Sequence, residues 1–157
     1  MAQFELVATG GTFDIIHMGH KSLLAKAFEI SDMVIIGLTS DEMAGRKGKN
    51  IINGYVQRSH VLAKFITEHF DSNFQISKLE DDFGPAVLQE RVQALVVSEE
   101  TQNRGAALNL LRAKRGILPV QIILVPMSLA KDGIRISTTR IRNSEIDMDG
   151  NLLSMEK

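Results

Sequence analysis

The chain has 157 residues, 44% of them hydrophobic and 24% charged, and a formal net charge of −1 at pH 7; that is enough for one domain with a sizeable core, and gives no reason to expect nucleic acid or an anionic membrane as partner. It contains no cysteine, which excludes disulfides and thiolate metal sites and suits a reducing compartment. The opening MAQFELVATGG has no basic segment ahead of an apolar core, and no apolar run approaches the roughly 20 residues of a membrane helix.

In chain order, FELVA (4–8) reads as a buried strand that stops at a tight turn on Gly10-Gly11. A helix follows from Met18 to about Ile30, with Leu23, Leu24, Ala27 and Phe28 at helical spacing. MVIIGL (33–38) has the unbroken apolar pattern of a parallel strand buried on both faces. The Gly-, Lys- and Asn-rich stretch 40–54 reads as a loop. Tyr55 to Phe70 is the clearest helix, with Arg58, Val61, Leu62, Phe65, Ile66 and His69 recurring at three and four. FQISKL (74–79) is a third strand, and DDFGPAVLQ (81–89) a short helix capped by Asp82 with Pro85 in its first turn. ALVVS (94–98) is a fourth strand, 100–114 a helix stopped by Gly116, and PVQIILV (119–125) a fifth strand. ISTTRIRNSEI (136–146) begins with a good helix N-cap signal.

Strands alternating with helices imply an α/β protein with a five-stranded parallel sheet, doubly wound and Rossmann-like. No repeat, linker or low-complexity stretch divides it. The expectation is a soluble, cytoplasmic, single domain over residues 1–157, with about the last seven residues polar enough to fray. In such sheets ligands bind beyond the carboxyl ends of the strands, where strand order reverses. The loops after the first and second strands and the start of the last helix should open on that edge.

Those three places carry the unusual residues. In GGTFDIIHMGH, the helix beginning near His17 offers free N–H groups and a positive dipole end to a phosphate. His17 and His20 are three apart, one helical turn from each other, and Gly19 removes the side chain between them. Three readings stand: N–H donors aimed at an anion, a ring serving as helix cap, or a metal site. The metal reading is poor, because zinc normally takes three or four protein ligands and the usual paired spacing is i, i+4; no metal site on protein side chains is expected. In ISTTRIR, the hydroxyls of Ser137, Thr138 and Thr139, with Arg140 and Arg142, form either a second anion cradle or an ordinary cap beside a solvated basic face. In GRKGKN (45–50), Lys47, or else Arg46 or Lys49, reaches over the site to a second phosphate, or the loop is merely solvated. Glu99 and Glu100 meet a ribose, an adenine amino group or Mg²⁺, or else lie at the start of a helix capped by Ser98. His60 and His69 have no motif around them and read as structural, and the seven methionines as packing.

GTFDIIHMGH resembles the HxGH signature of the nucleotidyltransferase superfamily, and ISTTRIR resembles its ISSTxIR motif. Both occur in order, at about the right separation, and the likeness covers nearly the whole chain. The stretches TSDEM, VVSEET and DGIRISTTRIRNSEID are similar to the archaeal and eukaryotic type of phosphopantetheine adenylyltransferase. Bacterial enzymes of that name usually have Thr at the position of His17. The resemblance implies adenylyl transfer from MgATP to 4′-phosphopantetheine, giving dephospho-coenzyme A and pyrophosphate, with Mg²⁺ accompanying ATP and no covalent intermediate. It implies His17 and His20 as catalytic phosphate donors, and Thr12 and Phe13 where ATP meets the acceptor phosphate. By the same resemblance Ser137, Thr138, Thr139 and Arg142 bind the β- and γ-phosphates, Lys47 binds the acceptor phosphate, and Asp14 braces its loop rather than binding substrate. It specifies no oligomeric state. Glycerol- or choline-phosphate cytidylyltransferases share GTFDxxHxGH but usually carry RTEGIST where this chain has DGIRIST. The same motifs also suit an FAD synthetase-like enzyme or a non-catalytic nucleotide-binding sensor. A dinucleotide-binding oxidoreductase lacks its GxGxxG here.

Overall fold

A computed structural model describes residues 3–48, 51–70, 73–81, 90–99, 101–126, 141 and 146–152. Among these run β1 (Phe4–Gly11), α1 (Met18–Ile30), β2 (Ser31–Thr39), α2 (Asp41–Arg46), α3 (Tyr55–His69), β3 (Phe74–Leu79), β4 (Ala94–Ser98), α4 (Asn103–Lys114) and β5 (Gln121–Val125). The five strands are all parallel, in the order β3-β2-β1-β4-β5. This is the doubly wound, Rossmann-like arrangement that the alternation of elements predicts.

Alternate residues of the central strands feed two cores. Val7, Val34 and Ile36 pack with Leu24 and Ala27 of α1 and with Leu62 and Ile66 of α3. Leu6, Ala8 and Ile35 point the other way, toward Leu108 of α4. Burial of each such Leu, Ile or Val side chain contributes roughly 1.5–3 kcal/mol, and it fixes register, because a one-residue slip would exchange the two faces. At the amino edge of the sheet Arg112 of α4 is 1% exposed. Its guanidinium donates to the carbonyls of Leu118, at 2.7 Å, and Val92, at 3.3 Å.

Several boundaries depart from the sequence reading, each for a visible reason. β1 does not stop at residue 8: Gly10 and Gly11 remain paired with Gly37 and Leu38 of β2. A Cβ on Gly10 would stand 3.0 Å from the Gly37 carbonyl oxygen, so this glycine serves close strand packing, and the turn comes after it. The stretch 40–54 is not all loop. Ser40 accepts a hydrogen bond from the Met43 N–H at 3.0 Å and caps α2, which buries Met43 and Ala44. α4 starts at Asn103 instead of residue 100, because Ser98 and Thr101 first close a turn on each other. Ser98 is therefore not its cap. β5 starts at Gln121 instead of 119, since the Asn109 side chain takes both the N–H and the carbonyl of Val120. Gly116 does end α4, in the left-handed conformation at φ 71°. The helices predicted at 81–89 and 136–146 lie largely outside the described residues. No helix among the described residues is long and apolar enough to cross a membrane.

Residues 146–152 return to the start of α1. Ile146 is fully buried against Met18 and Ile141, and the Met148 carbonyl accepts from the Met18 N–H at 2.9 Å. Asp147 builds this turn: its carboxylate accepts from the N–H groups of Asp149 and Asn151 and from the Asn151 side chain. Those bonds, Asn151's foremost, hold its pKa below the usual aspartate value.

Candidate active site

Pairing between β1 and β4 ends at Ala8 and Leu95, while β1 stays paired with β2 as far as Gly11. The central strands thus part at their carboxyl ends. The buried Thr9 hydroxyl spans the widening gap to the Val96 carbonyl at 2.9 Å. This is where strand order reverses, and the crevice of a doubly wound sheet lies there. The loop 12–17 leaves β1 at that place and leads directly into α1.

His17 stands just outside the helix as its N-cap, not on its first turn. Its Nδ1 accepts from the Gly19 N–H at 3.1 Å, and its own N–H donates to His20 Nδ1 at 3.3 Å. The pair forms a reciprocal capping box in which two imidazoles do the work usually done by Ser and Glu. In each ring Nδ1 is the acceptor, so the hydrogen of the neutral ring is assigned to Nε2. The rings stack with centroids 3.9 Å apart. Gly19 is needed for this arrangement: a Cβ there would lie 2.9 Å from His17 Cε1. The space over Gly19 is filled by the His17 ring itself.

Phe13 packs against His20. Its ring lies 4.7 Å from the His20 ring and is 2% exposed. Its backbone, at φ 50°, is the one non-glycine among the described residues with positive φ. Such a conformation costs of order 1–3 kcal/mol and persists only where its surroundings enforce it. Enforcement comes from both neighbours. On one side the Thr12 carbonyl accepts from Arg58 Nη1 at 2.8 Å. On the other, the Asp14 carboxylate accepts from the N–H groups of Ile52 and Asn53 at 2.7 and 2.9 Å. Asp14 braces the loop, as the resemblance implied.

The sequence reading missed Arg58, counting it only as one member of an apolar stripe. Its side chain is 1% exposed. Besides Thr12 it donates to the Asn53 carbonyl at 2.9 Å and to Asp41 at 2.8 Å. The Arg58 hydrogen bond, followed by one from the Tyr55 N–H, holds the Asp41 pKa below the ordinary aspartate value. A visible signal existed: an arginine four residues before Leu62, on the buried face of a helix, needs buried partners.

Lys47 follows α2 as its C-cap and is exposed. Arg46 donates to the Glu80 carbonyl at 2.8 Å, tying α2 to the end of β3. Lys49 and Glu100 lie outside the described residues, as do Ser137, Thr138, Thr139, Arg140 and Arg142. Glu99 is exposed after β4. His60 is exposed on α3, and His69 stacks on Phe65 with its Nδ1 at 2.9 Å from the Phe65 carbonyl. Among the described residues no three His, Asp or Glu side chains are grouped to hold a metal.

Residues 8–144 match the family described as cytidylyltransferase-like. Over 151 residues the chain is 40% identical to a phosphopantetheine adenylyltransferase of Methanothermobacter thermautotrophicus, covering 96% of this chain and 91% of the relative. It is 38% identical to the phosphopantetheine adenylyltransferase of Pyrococcus furiosus, covering 99% and 98%. In three dimensions it is similar to a protein of unknown function from Archaeoglobus fulgidus, with a TM-score of 0.71 at 28% identity, covering 78% of this chain and 89% of that one. A nucleotidyltransferase sheet that opens on an HxGH helix start is thus joined to near-full-length sequence similarity, and the chain belongs to the cytidylyltransferase-like family, within its archaeal-type phosphopantetheine adenylyltransferases.

Proposed function

We propose that this chain, acting as a single cytoplasmic domain over residues 1–157, transfers an adenylyl group from MgATP to 4′-phosphopantetheine in coenzyme A synthesis. One observation carries the reading: the chain is 38–41% identical, over more than nine-tenths of its length, to phosphopantetheine adenylyltransferases. The site geometry supports it, because two imidazoles meet at a helix start beside the crevice.

An oxygen of the acceptor phosphate attacks the α-phosphorus of ATP in line. The P–O bond to the β-phosphate breaks, and its electron pair leaves with pyrophosphate. The acceptor is already an anion, so no general base is needed. The protein's work is to align two mutually repelling anions and to stabilise the charge that develops. His20 Nε2 donates to ATP phosphate oxygens, and His17 joins it at the α-phosphate in the transition state. Thr12 and Phe13 lie where the two substrates meet, and Lys47 binds the acceptor phosphate. Ser137, Thr138, Thr139 and Arg142 take the β- and γ-phosphates. Mg²⁺ would come with ATP, held by phosphate oxygens and water, and would supply neutralisation of the phosphate charge.

The test is pyrophosphate release with MgATP and 4′-phosphopantetheine, run beside CTP, glycerol 3-phosphate, nicotinamide mononucleotide and flavin mononucleotide. Release with ATP and phosphopantetheine alone supports the reading. Release with another pair replaces the acceptor or nucleotide. Silence from folded, ATP-binding protein makes it a sensor.

A further inference from the structure

We propose that Arg58 is the positioning residue of this site: its guanidinium holds Thr12 and Phe13 in the geometry that seats His20, and ties that loop to the start of α2. The assignment of what is seated rests on the reading above. The clamp itself rests on geometry. Arg58 uses Nε, Nη1 and Nη2 on three separate segments, the Asn53 carbonyl, the Thr12 carbonyl and the Asp41 carboxylate. Asp41 opens α2, the helix that Lys47 follows as C-cap. The Thr12 bond falls immediately before the strained Phe13, whose ring packs on His20. One buried side chain thereby fixes both the loop beneath the histidines and the helix leading to the candidate acceptor-phosphate lysine. A planar fork is required, because three donors must leave one group in three directions at once; an ammonium on a flexible stem does not reproduce it.

The protein carries its own control. Arg112 is equally buried and also donates to backbone carbonyls, but at the amino edge of the sheet, away from the crevice. Arg58→Lys and Arg112→Lys are compared in the full-length enzyme, well below the melting temperature of each. Misplacement of a reacting group by about 1 Å can cost on the order of 10²-fold, so Arg58→Lys should lower kcat by roughly 10- to 100-fold. KM for ATP should stay within about 3-fold, the pattern of an interaction used in the transition state. Arg112→Lys should lower the melting temperature and leave kcat unchanged. A second readout needs no substrate: the ring-proton resonances of His20 should shift in Arg58→Lys, while that of His69, at the far end of α3, should not.

An Arg58→Lys enzyme with wild-type kcat, or a loss matched by Arg112→Lys, overturns the proposal. If Arg58→Lys does not fold, Asp41→Asn, which loosens one arm, carries the test. A several-fold fall in kcat at unchanged KM for ATP supports the clamp, and wild-type kcat overturns it. If the wild-type protein releases no pyrophosphate with this substrate pair, the functional reading fails separately. The clamp then stands if the His20 resonances move and falls if they do not.

Discussion

The imidazoles of His17 and His20 lie face to face, 3.9 Å between centroids and 22° between planes, and each is bonded through Nδ1 to backbone at the start of α1. His17 thus holds two jobs that substitution can separate. Asparagine is among the best N-caps, so His17→Asn should keep the helix start and melt within about 2 °C of the wild type. If His17 has the proposed phosphate role, the variant's kcat should nonetheless fall by roughly 10²-fold, the cost of one such donor. His17→Ala should lose the cap as well, at about 0.5–2 kcal/mol. Equal melting temperatures for the two variants would show that the cap contributes nothing.

His20→Ala removes the phosphate donor proposed above, half of the capping box and the ring against which Phe13 packs. A kcat lowered by roughly 10²–10³-fold is expected, with the fold retained by circular dichroism. Wild-type turnover, or an unfolded protein, would remove His20 from the mechanism.

Gly19→Ala separates propensity from function. Alanine should favour the helix by up to about 1 kcal/mol over glycine. The new Cβ, however, meets His17 Nδ1 at 3.1 Å and Cε1 at 2.9 Å, and the ring must move. Pyrophosphate release should drop at least several-fold while the melting temperature stays level or rises. Unchanged turnover would mean that the position of the His17 ring is not critical.

Asp41 gives a pH signature. Its pKa is lowered in the folded state by the Arg58 bond first and the Tyr55 N–H second. A depressed carboxylate adds stability that is present above its unfolded pKa and disappears as pH falls through its folded pKa. The melting-temperature gap between wild type and Asp41→Asn should therefore be constant at neutral pH and close below about pH 4. The side chain is 48% exposed, so the gap should be small and shrink in salt. A gap that is the same at pH 3 and pH 7 would exclude this linkage.

Gly105→Ala probes the opposite face. A Cβ there would press on Ile122 of β5, with Cγ1 at 2.9 Å. Overpacking of this kind costs typically about 1–3 kcal/mol. Thermal melts should show that loss, with kcat at low temperature unaffected because the contact lies away from the crevice.

The sheet was legible because FQISKL, largely alternating apolar and polar, and ALVVS, a short apolar run, have clear ends and coincide with the observed strands. Gly10 and Gly11 misled because a glycine pair signals a turn locally, whereas here the pairing partner, Gly37, is distant in sequence. α2 was hidden by its length and its glycine, although Ser40 followed by Asp41 and Glu42 is an N-cap signal. The histidines announced a helix start, and one ring as its cap was among the readings left open; the reciprocal use of both rings was not foreseen. Arg58 could be suspected from burial alone; its partners Thr12 and Asp41 come from other segments and no local pattern names them.

The bond from the Met18 N–H to the Met148 carbonyl sets an order of events during synthesis. β1, α1 and β2 leave the ribosome early, and the histidine pair with them. One orphan donor of that helix start finds its acceptor only when the turn around Asp147 has been made and docked through Ile146. A nascent chain can lay down most of its sheet and still have an unfinished α1 start, because that bond requires residues made near the end of the chain.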